Sequence, residues 1–179
     1  VEGFDVRRNT AALTTAAIVT TALLSPVAPA SASSGRATVL CQSSSYRCIA
    51  ASGYKGQSVW GSWGPGHNCV SYAAYRLRKN GAPKPWAGGI GDAKLWDDKA
   101  RAAGIRVDHQ PAVGAIAEWD AGTYGHVAYV EQVTADAIVV SEDAYVSDTH
   151  GFAQTRRLDR HGSQFATAHF IHVRDVSQA

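Results

Sequence analysis

The sequence predicts an α+β domain in which N-terminal helices pack on a C-terminal antiparallel β-sheet. Before Gly104, the clearest apolar patterns have helical spacing. From Ile105 onward, apolar and polar residues alternate with a period of two, which indicates strands. Helices therefore come first along the chain and strands second, and this order is typical of an α+β domain.

The first 32 residues have the pattern of a secretory signal peptide. Arg7 and Arg8 precede an apolar run at 11–24, and Ala30-Ser31-Ala32 forms a small-x-small cleavage site. The alternative, an N-terminal membrane anchor, is less favoured because the run is too short to span a bilayer comfortably. We therefore expect a secreted protein, extracellular or in the cell wall, with no stable membrane insertion after cleavage.

Segment 33–53 contains two of the three cysteines of the chain. Cys41 and Cys48 bracket a short polar loop, and outside the cell we expect them to form a disulfide. So short a loop stabilises the fold by less than about 3 kcal/mol. The chain from 33 to 61 is rich in Ser and Gly and is predicted to be irregular. Cys69 is left as a free thiol.

Two helices follow, separated by a loop rich in proline and glycine. The first is predicted at 68–79, with Asn68 as the N-cap and Asn80-Gly81 as the stop. Its buried stripe follows the i, i+3, i+4, i+7 pattern: Val70, Ala73, Ala74 and Leu77. The second helix is predicted at 92–104, with an inner face of Ala93, Trp96, Ala100 and Ala103.

Five strands are predicted after Gly104, and their ranges are 105–109, 112–119, 125–133, 137–143 and 166–173. The formal net charge of the chain is +2, which does not argue for a nucleic-acid partner. A charge this close to zero is compatible with an anionic cell wall without requiring one.

Cys69 lies where a glycine-rich loop becomes the first helix. The exposed N–H groups and the dipole at a helix N-terminus favour thiolate, which is the reactive form of cysteine. The alternative is a small buried apolar residue, which is how most free cysteines behave. Position alone does not separate the two interpretations.

A cysteine nucleophile needs a base, and His126 opens the most apolar alternating strand. An odd-length turn after Val133 places Glu142 on the same sheet face as His126, opposite it or diagonal to it. The two residues can then form a base and its orienting carboxylate. The alternatives are a satisfied core histidine and a solvated edge carboxylate.

Five stretches in this order, GHNCVSYAAYRL, PAVGAIAEW, GHVAYVEQV, VVSED and FIHV, resemble the CHAP family of cysteine, histidine-dependent amidohydrolases and peptidases. The resemblance covers 54–173 and leaves 174–179 as a tail. It implies a papain-like fold and cleavage of amide bonds in peptidoglycan. It also implies Cys69 as nucleophile, His126 as base and Glu142 as third member.

The sequence departs from the family pattern in two places. The family often has Asn two residues after the Glu, where this chain has Ala144, so Asp143, Asn68 or no residue supplies the fourth polar group. Some members bind calcium through acidic residues just before the cysteine. The stretch GYKGQSVWGSWGPGHN has none, and we expect no calcium there.

The resemblance implies a secreted, cofactor-free and monomeric hydrolase that acts on peptidoglycan, either an N-acetylmuramoyl-L-alanine amidase or an endopeptidase. The implied mechanism is acyl transfer, with the Cys69 N–H and Asn68 supporting the oxyanion. The alternatives are a non-catalytic wall-binding module and a general secreted cysteine protease, including one directed at other bacteria.

The remaining tryptophans and histidines are interpreted from their positions along the chain. Three tryptophans near the first helix could line a substrate groove or close the core: Trp60, Trp63 and Trp86. Trp119 is expected in the core. No metal site is predicted, because His169 and His172 point to opposite faces of a strand. The other histidines are expected to be solvated in loops: His67, His109, His150 and His161.

Overall fold

The structure is a computed structural model that describes residues 37–147 and 150–177. The predicted signal peptide lies outside these residues. None of the helices in the described ranges combines the length and the apolar character needed to cross a bilayer.

The described residues form seven strands and three α-helices. The strands are β1 Thr38–Ser43, β2 Val107–Asp108, β3 Ile116–Trp119, β4 His126–Val133, β5 Ala137–Ser147, β6 His150–Asp159 and β7 His169–Ile171. The helices are α1 Cys69–Lys79, α2 Trp96–Ala102 and α3 Ser163–Ala166. Two 3₁₀ helices, Tyr46–Ser52 and Ala93–Leu95, complete the list.

The strands form one sheet in the order β1-β6-β5-β4-β3-β7-β2, and neighbouring strands are antiparallel. The prediction of an antiparallel sheet is therefore confirmed. The prediction of an irregular segment at 33–61 was wrong in part, because it contains β1 and a 3₁₀ helix. Strand β6 was not predicted, although it lies between β1 and β5 in the sheet.

Helix α1 begins and ends where the sequence indicates. The Asn68 side-chain oxygen accepts a hydrogen bond from the Ser71 N–H at 3.1 Å, so the residue is the N-cap. The predicted stripe of α1 is buried, and it shares one apolar cluster with Val127 and Tyr129 of β4. This packing sets the first turn of α1 beside the start of β4.

Helix α2 is shorter than predicted, because its start is the 3₁₀ turn Ala93–Leu95. Ala93, Trp96 and Ala100 are buried as predicted, whereas Ala103 is exposed at the C-cap. The opposite face of the sheet has its own apolar cluster, which includes Ile138, Val140 and Phe170.

The turn between β4 and β5 differs from the predicted odd-length loop. Val133 pairs with Ile138, so four residues form the loop, and an even loop alone would place His126 and Glu142 on opposite faces. A bulge between Val130 and Gln132 shifts the register by one residue. Beyond it Tyr129 pairs with Ser141, and the shared face is restored.

Cys41 and Cys48 form a disulfide, as their spacing predicts, with Cα atoms 5.6 Å apart. The bridge joins edge strand β1 to the 3₁₀ helix Tyr46–Ser52. Among the described residues Cys69 is the free cysteine.

Candidate active site

Cys69 is the first residue of α1 and is partly buried. The loop before it is tied to the same turn, because the Ser71 hydroxyl donates to the Trp63 carbonyl oxygen. The first N–H groups of the helix are therefore next to the thiol, where they favour negative charge.

His126, the first residue of β4, lies between Cys69 and Glu142. Its Nε2 is 2.6 Å from Glu142 Oε2, and its imidazole also interacts with the Cys69 thiol. Because Nε2 faces the carboxylate, Nδ1 is the nitrogen available to the sulfur. The structure thus brings together the three side chains that the sequence analysis singled out.

Glu142 is fully buried and has donors beyond His126. Arg156 Nη2 donates to Oε2 at 2.8 Å, and Gln154 donates to Oε1. Arg156 Nε is also 2.5 Å from Oε1, but its N–H is poorly aligned and forms no hydrogen bond there. The sequence analysis missed both donors. The signal that could have found them is the alternation of FAQTRRL, which places Gln154 and Arg156 on one face of β6.

These contacts set the charges of the pair. Burial alone would raise the pKa of Glu142, but the hydrogen bond and charge of His126, together with Arg156, lower that pKa to about 2. Burial would lower the pKa of His126, but its interactions with Cys69 and Glu142 outweigh this and raise the pKa to about 10. The pair is therefore imidazolium and carboxylate at neutral pH.

Trp119 holds the imidazole from one side. It pairs with His126 across β3 and β4, and the two rings stack with centroids 5.9 Å apart. Its indole N–H donates to the Gln164 carbonyl at 2.6 Å, and the side chain belongs to the buried cluster, as expected.

Asp143 supports the loop before Cys69 and does not face His126. Its buried carboxylate is 2.5 Å from His67 Nδ1 and accepts the Asn68 backbone N–H at 2.8 Å. His67 Nε2 is 3.1 Å from the Ser44 carbonyl oxygen. The expectation that His67 is a solvated loop residue was therefore wrong.

Strand β6 approaches this loop closely at Gly151. A Cβ atom at this position would overlap the His67 side chain and the Ala144 carbonyl oxygen. Only glycine lets the two segments lie this close together.

The three groove candidates lie in different environments. Trp63 is 71% exposed, whereas Trp86 is buried against Trp96. Trp60 is partly buried and has a φ of 56°, a conformation that non-glycine residues seldom adopt. Burial favours the core interpretation for Trp86 and leaves Trp60 and Trp63 as groove candidates.

Four further histidines fall into three groups. His150 and His161 are exposed. His109 hydrogen-bonds to the Ala168 carbonyl at 2.9 Å, so it is not simply solvated as expected. His169 lies 3.1 Å from Asp97 and 3.3 Å from Glu118.

The family model of the CHAP domain matches residues 52–144, which include Cys69, His126 and Glu142. The chain belongs to the CHAP domain family. The matched range covers more than half of the chain, from the segment before α1 to strand β5.

The CHAP domain chain is similar to two staphylococcal proteins named N-acetylmuramoyl-L-alanine amidase sle1. It is 52% identical over 52 residues to the protein of Staphylococcus epidermidis, which covers 28% of this chain and 16% of that protein. It is 37% identical over 81 residues to the protein of Staphylococcus haemolyticus, which covers 45% of this chain and 24% of that protein. The chain thus spans less than a quarter of the length of these relatives.

The CHAP domain also resembles a solved structure, the crystal structure of an N-acetylmuramoyl-L-alanine amidase from Staphylococcus aureus. The TM-score is 0.50 at 28% identity, over 60% of this chain and 30% of that chain. This likeness supports the described fold of a mostly antiparallel sheet with a few helices.

Proposed function

We propose that this protein is a peptidoglycan hydrolase that cleaves an amide bond with Cys69 as nucleophile. The observation that carries the proposal is the meeting of Cys69, His126 and Glu142 at the junction of α1, β4 and β5. Helices packed on the sheet in a papain-like arrangement would present the thiol to the imidazole in this way. The names of the relatives favour N-acetylmuramoyl-L-alanine amidase activity over endopeptidase activity.

The first step forms a thioester. The Cys69 thiolate attacks the amide carbonyl carbon, and the carbonyl π electrons move to oxygen. The backbone N–H of Cys69, at the helix N-terminus, donates to the oxyanion. As the C–N bond breaks, the imidazolium of His126 gives its Nδ1 proton to the leaving amine.

The second step releases the acid. Neutral His126 takes a proton from water, and the hydroxide attacks the thioester carbonyl. The C–S bond breaks, Cys69 leaves as thiolate, and the carboxylic acid product departs. Glu142 keeps Nε2 oriented and stabilises imidazolium throughout.

Asp143 and Asn68 act as support in this proposal. Asp143 fixes the Asn68 backbone and His67, while the Asn68 side chain caps α1. Both therefore position the first turn of the helix, where the thiol and the oxyanion donor lie. Neither is assigned contact with the reacting atoms.

The exposed indole of Trp63 and the strained Trp60 are proposed to line the substrate groove. The Trp63 carbonyl is bonded to Ser71 in the first turn of α1, which keeps this loop beside Cys69. An exposed aromatic face stacks well on sugars or peptide groups. The predicted signal peptide supports action outside the cell, at the cell wall. We propose that the protein acts there as a monomer.

Digestion of purified cell walls tests the proposal. Wild-type protein should release muropeptides, and Cys69→Ala should release none. Mass spectrometry identifies the bond, because a free lactyl group with an L-Ala amino terminus means amidase and another new terminus means endopeptidase. Equal digestion by both proteins would exclude the cysteine mechanism. If both proteins bind walls and neither digests them, the protein is a binding module. If the wild-type protein cleaves casein in preference to cell walls, it is a general protease.

A further inference from the structure

A second cluster of ionisable side chains lies away from Cys69. It joins three elements: Asp97 of α2, Glu118 of β3 and His169 of β7. One donor atom from each side chain lies within 4.8 Å of the other two. Glu118 and His169 face each other as a β3–β7 pair, and Asp97 approaches them from the helix.

The hydrogen bonds of this cluster are incomplete. Glu118 is fully buried, and its Oε1 accepts no hydrogen bond from the residues that the structure describes. Its Oε2 faces His169 Nδ1 at 3.3 Å, and Asp97 Oδ2 is 3.1 Å from the same nitrogen. A single ring nitrogen therefore serves two buried carboxylates. A buried polar atom left without a partner costs about 1–3 kcal/mol, which a bound ligand would relieve.

The surrounding charges also favour a cation. Asp120 places a further carboxylate near Glu118. Arg101 Nη1 lies 2.6 Å from Asp97 Oδ2, so the guanidinium offsets the negative charge of Asp97. The His109 ring packs against the His169 ring, with the two ring centroids 5.2 Å apart. Three carboxyl groups share one guanidinium, so the cluster is short of positive charge whenever Glu118 is ionised, as a metal ligand must be.

Two of the three donor spacings suit a small divalent ion, and the third is within 4.8 Å. Two ligands on one tetrahedral Zn²⁺, with bonds of about 2.0–2.2 Å, lie about 3.3–3.6 Å apart. The distances from His169 Nδ1 to the Asp97 and Glu118 oxygens, 3.1 and 3.3 Å, are close to this spacing. Imidazole together with carboxylates is a ligand set typical of Zn²⁺ and neighbouring transition ions, whereas Mg²⁺ and Ca²⁺ prefer oxygen alone.

We propose that Asp97, Glu118 and His169 form a binding site for a divalent transition cation of the Zn²⁺ type. The ion joins α2 to strands β3 and β7. Strand β3 ends at Trp119, which stacks on His126. The ion therefore stabilises the strand that supports the imidazole. Its role is structural, and it is independent of the hydrolase proposal.

Zn²⁺ titration calorimetry on the chelator-treated chain tests this site. The chain carries Cys69→Ala, because a thiol beside an imidazole would bind Zn²⁺ by itself. We expect saturable binding of one ion and a thermal unfolding midpoint that rises with Zn²⁺ concentration. Glu118→Gln and His169→Gln should each weaken Zn²⁺ binding at least about tenfold.

His172→Gln is the matched control. His172 also contacts two carboxylates, Asp108 and Asp175, but through opposite ring nitrogens, so they cannot close on one ion with it. This variant should bind Zn²⁺ with unchanged affinity. Zn²⁺ binding that survives in both Glu118→Gln and His169→Gln would overturn the proposal, as would tighter binding of Ca²⁺ or Mg²⁺.

Anomalous X-ray diffraction at the zinc edge gives a readout that does not depend on the folding of the variants. Crystals of the Cys69→Ala chain grown with Zn²⁺ should show an ion about 2.0–2.2 Å from Asp97, Glu118 and His169. An ion found only elsewhere, or no saturable binding up to about 1 mM Zn²⁺, would exclude the site.

Discussion

Two histidine–glutamate pairs lie on the same sheet, and the carboxylates have opposite surroundings. Glu142 accepts hydrogen bonds from His126, Arg156 and Gln154, and its pKa is lowered to about 2. Glu118 shares His169 with another carboxylate, and burial together with the charges of Asp97 and Asp120 raises its pKa to about 8. Both carboxylates are buried, so the number of donors decides which one is a stable anion.

The comparison explains why only one pair suits acyl transfer. An ionised Glu142 holds an imidazolium beside a thiol, which is the charge pattern that a cysteine nucleophile requires. Among the described residues, the third member of the Glu118 and His169 cluster is Asp97 and not a cysteine, and the cluster has unfilled capacity for a cation. The same residue types thus favour catalysis at one place and ion binding at the other.

The largest expected effect is the loss of wall digestion when Cys69 or His126 is replaced, compared with replacement of another histidine that contacts carboxylates. Cys69→Ala should remove wall digestion, and His126→Gln should reduce its rate by about 10²–10⁴-fold, because the proton donor and acceptor is lost. His172→Gln, which also removes a histidine bonded to carboxylates, should digest walls at the wild-type rate. Turbidity of a cell-wall suspension measures all three, and a His126→Gln variant with full activity would contradict the assignment.

The next effect is on stability. Glu142→Gln removes the negative charge that faces His126 and Arg156, and it should lower the free energy of unfolding by about 3 kcal/mol. Glu118, with a pKa of about 8, is mostly protonated at neutral pH, so Glu118→Gln changes little charge there and in metal-free protein should leave that free energy unchanged or higher. Urea unfolding with a chelator present measures both. Equal losses in the two variants would show that the two carboxylates do not differ as described.

A pH profile tests the charge state of the His126 pair. The interactions with Cys69 and Glu142 outweigh burial and raise the pKa of His126, so the imidazolium needed to protonate the leaving amine persists to about pH 10 and is lost above it. Glu142→Gln removes the charge that stabilises the imidazolium. The alkaline limb of the hydrolysis rate should therefore move to lower pH by about one unit or more. An unmoved limb in a folded variant would mean that Glu142 does not set the protonation of His126.

The smallest expected effect comes from removing one hydrogen-bond donor to Glu142. Gln154→Ala removes one hydrogen bond to Glu142 and leaves Arg156 and His126 in place. It should cost about 1 kcal/mol in unfolding free energy and reduce wall digestion only a few-fold. Urea unfolding and the turbidity assay measure these changes. A loss as large as that of Glu142→Gln would show that Gln154, and not the charge of Arg156, holds the carboxylate.

The sequence was sufficient for α1, because caps and periodicity are local signals, and the resemblance to the CHAP family pointed to Cys69, His126 and Glu142. The register of β4 and β5 was not predictable. A four-residue turn and a bulge near Glu131 compensate each other, and no residue in the sequence specifies that bulge. The shared sheet face was therefore predicted correctly from an incorrect loop length.

Long-range partners were the other failure. Arg156 and Gln154 have polar side chains of the kind that is usually exposed to solvent, yet both donate hydrogen bonds to the buried carboxylate of Glu142. The contact of His67 with Asp143 joins residues 76 positions apart. Such contacts depend on which strands become neighbours, and β6 inserts between β1 and β5 although it comes much later in the chain than β1.

The close approach at Gly151 has a consequence for any mutational scan of this protein. The loop that carries His67 and leads into Cys69 rests on bare backbone there, because a methyl group would overlap His67. Substituting this glycine would displace the nucleophile without removing any chemical group. Position 151 should therefore rank with the reactive residues in its intolerance of change, although it contributes no atom to the reaction.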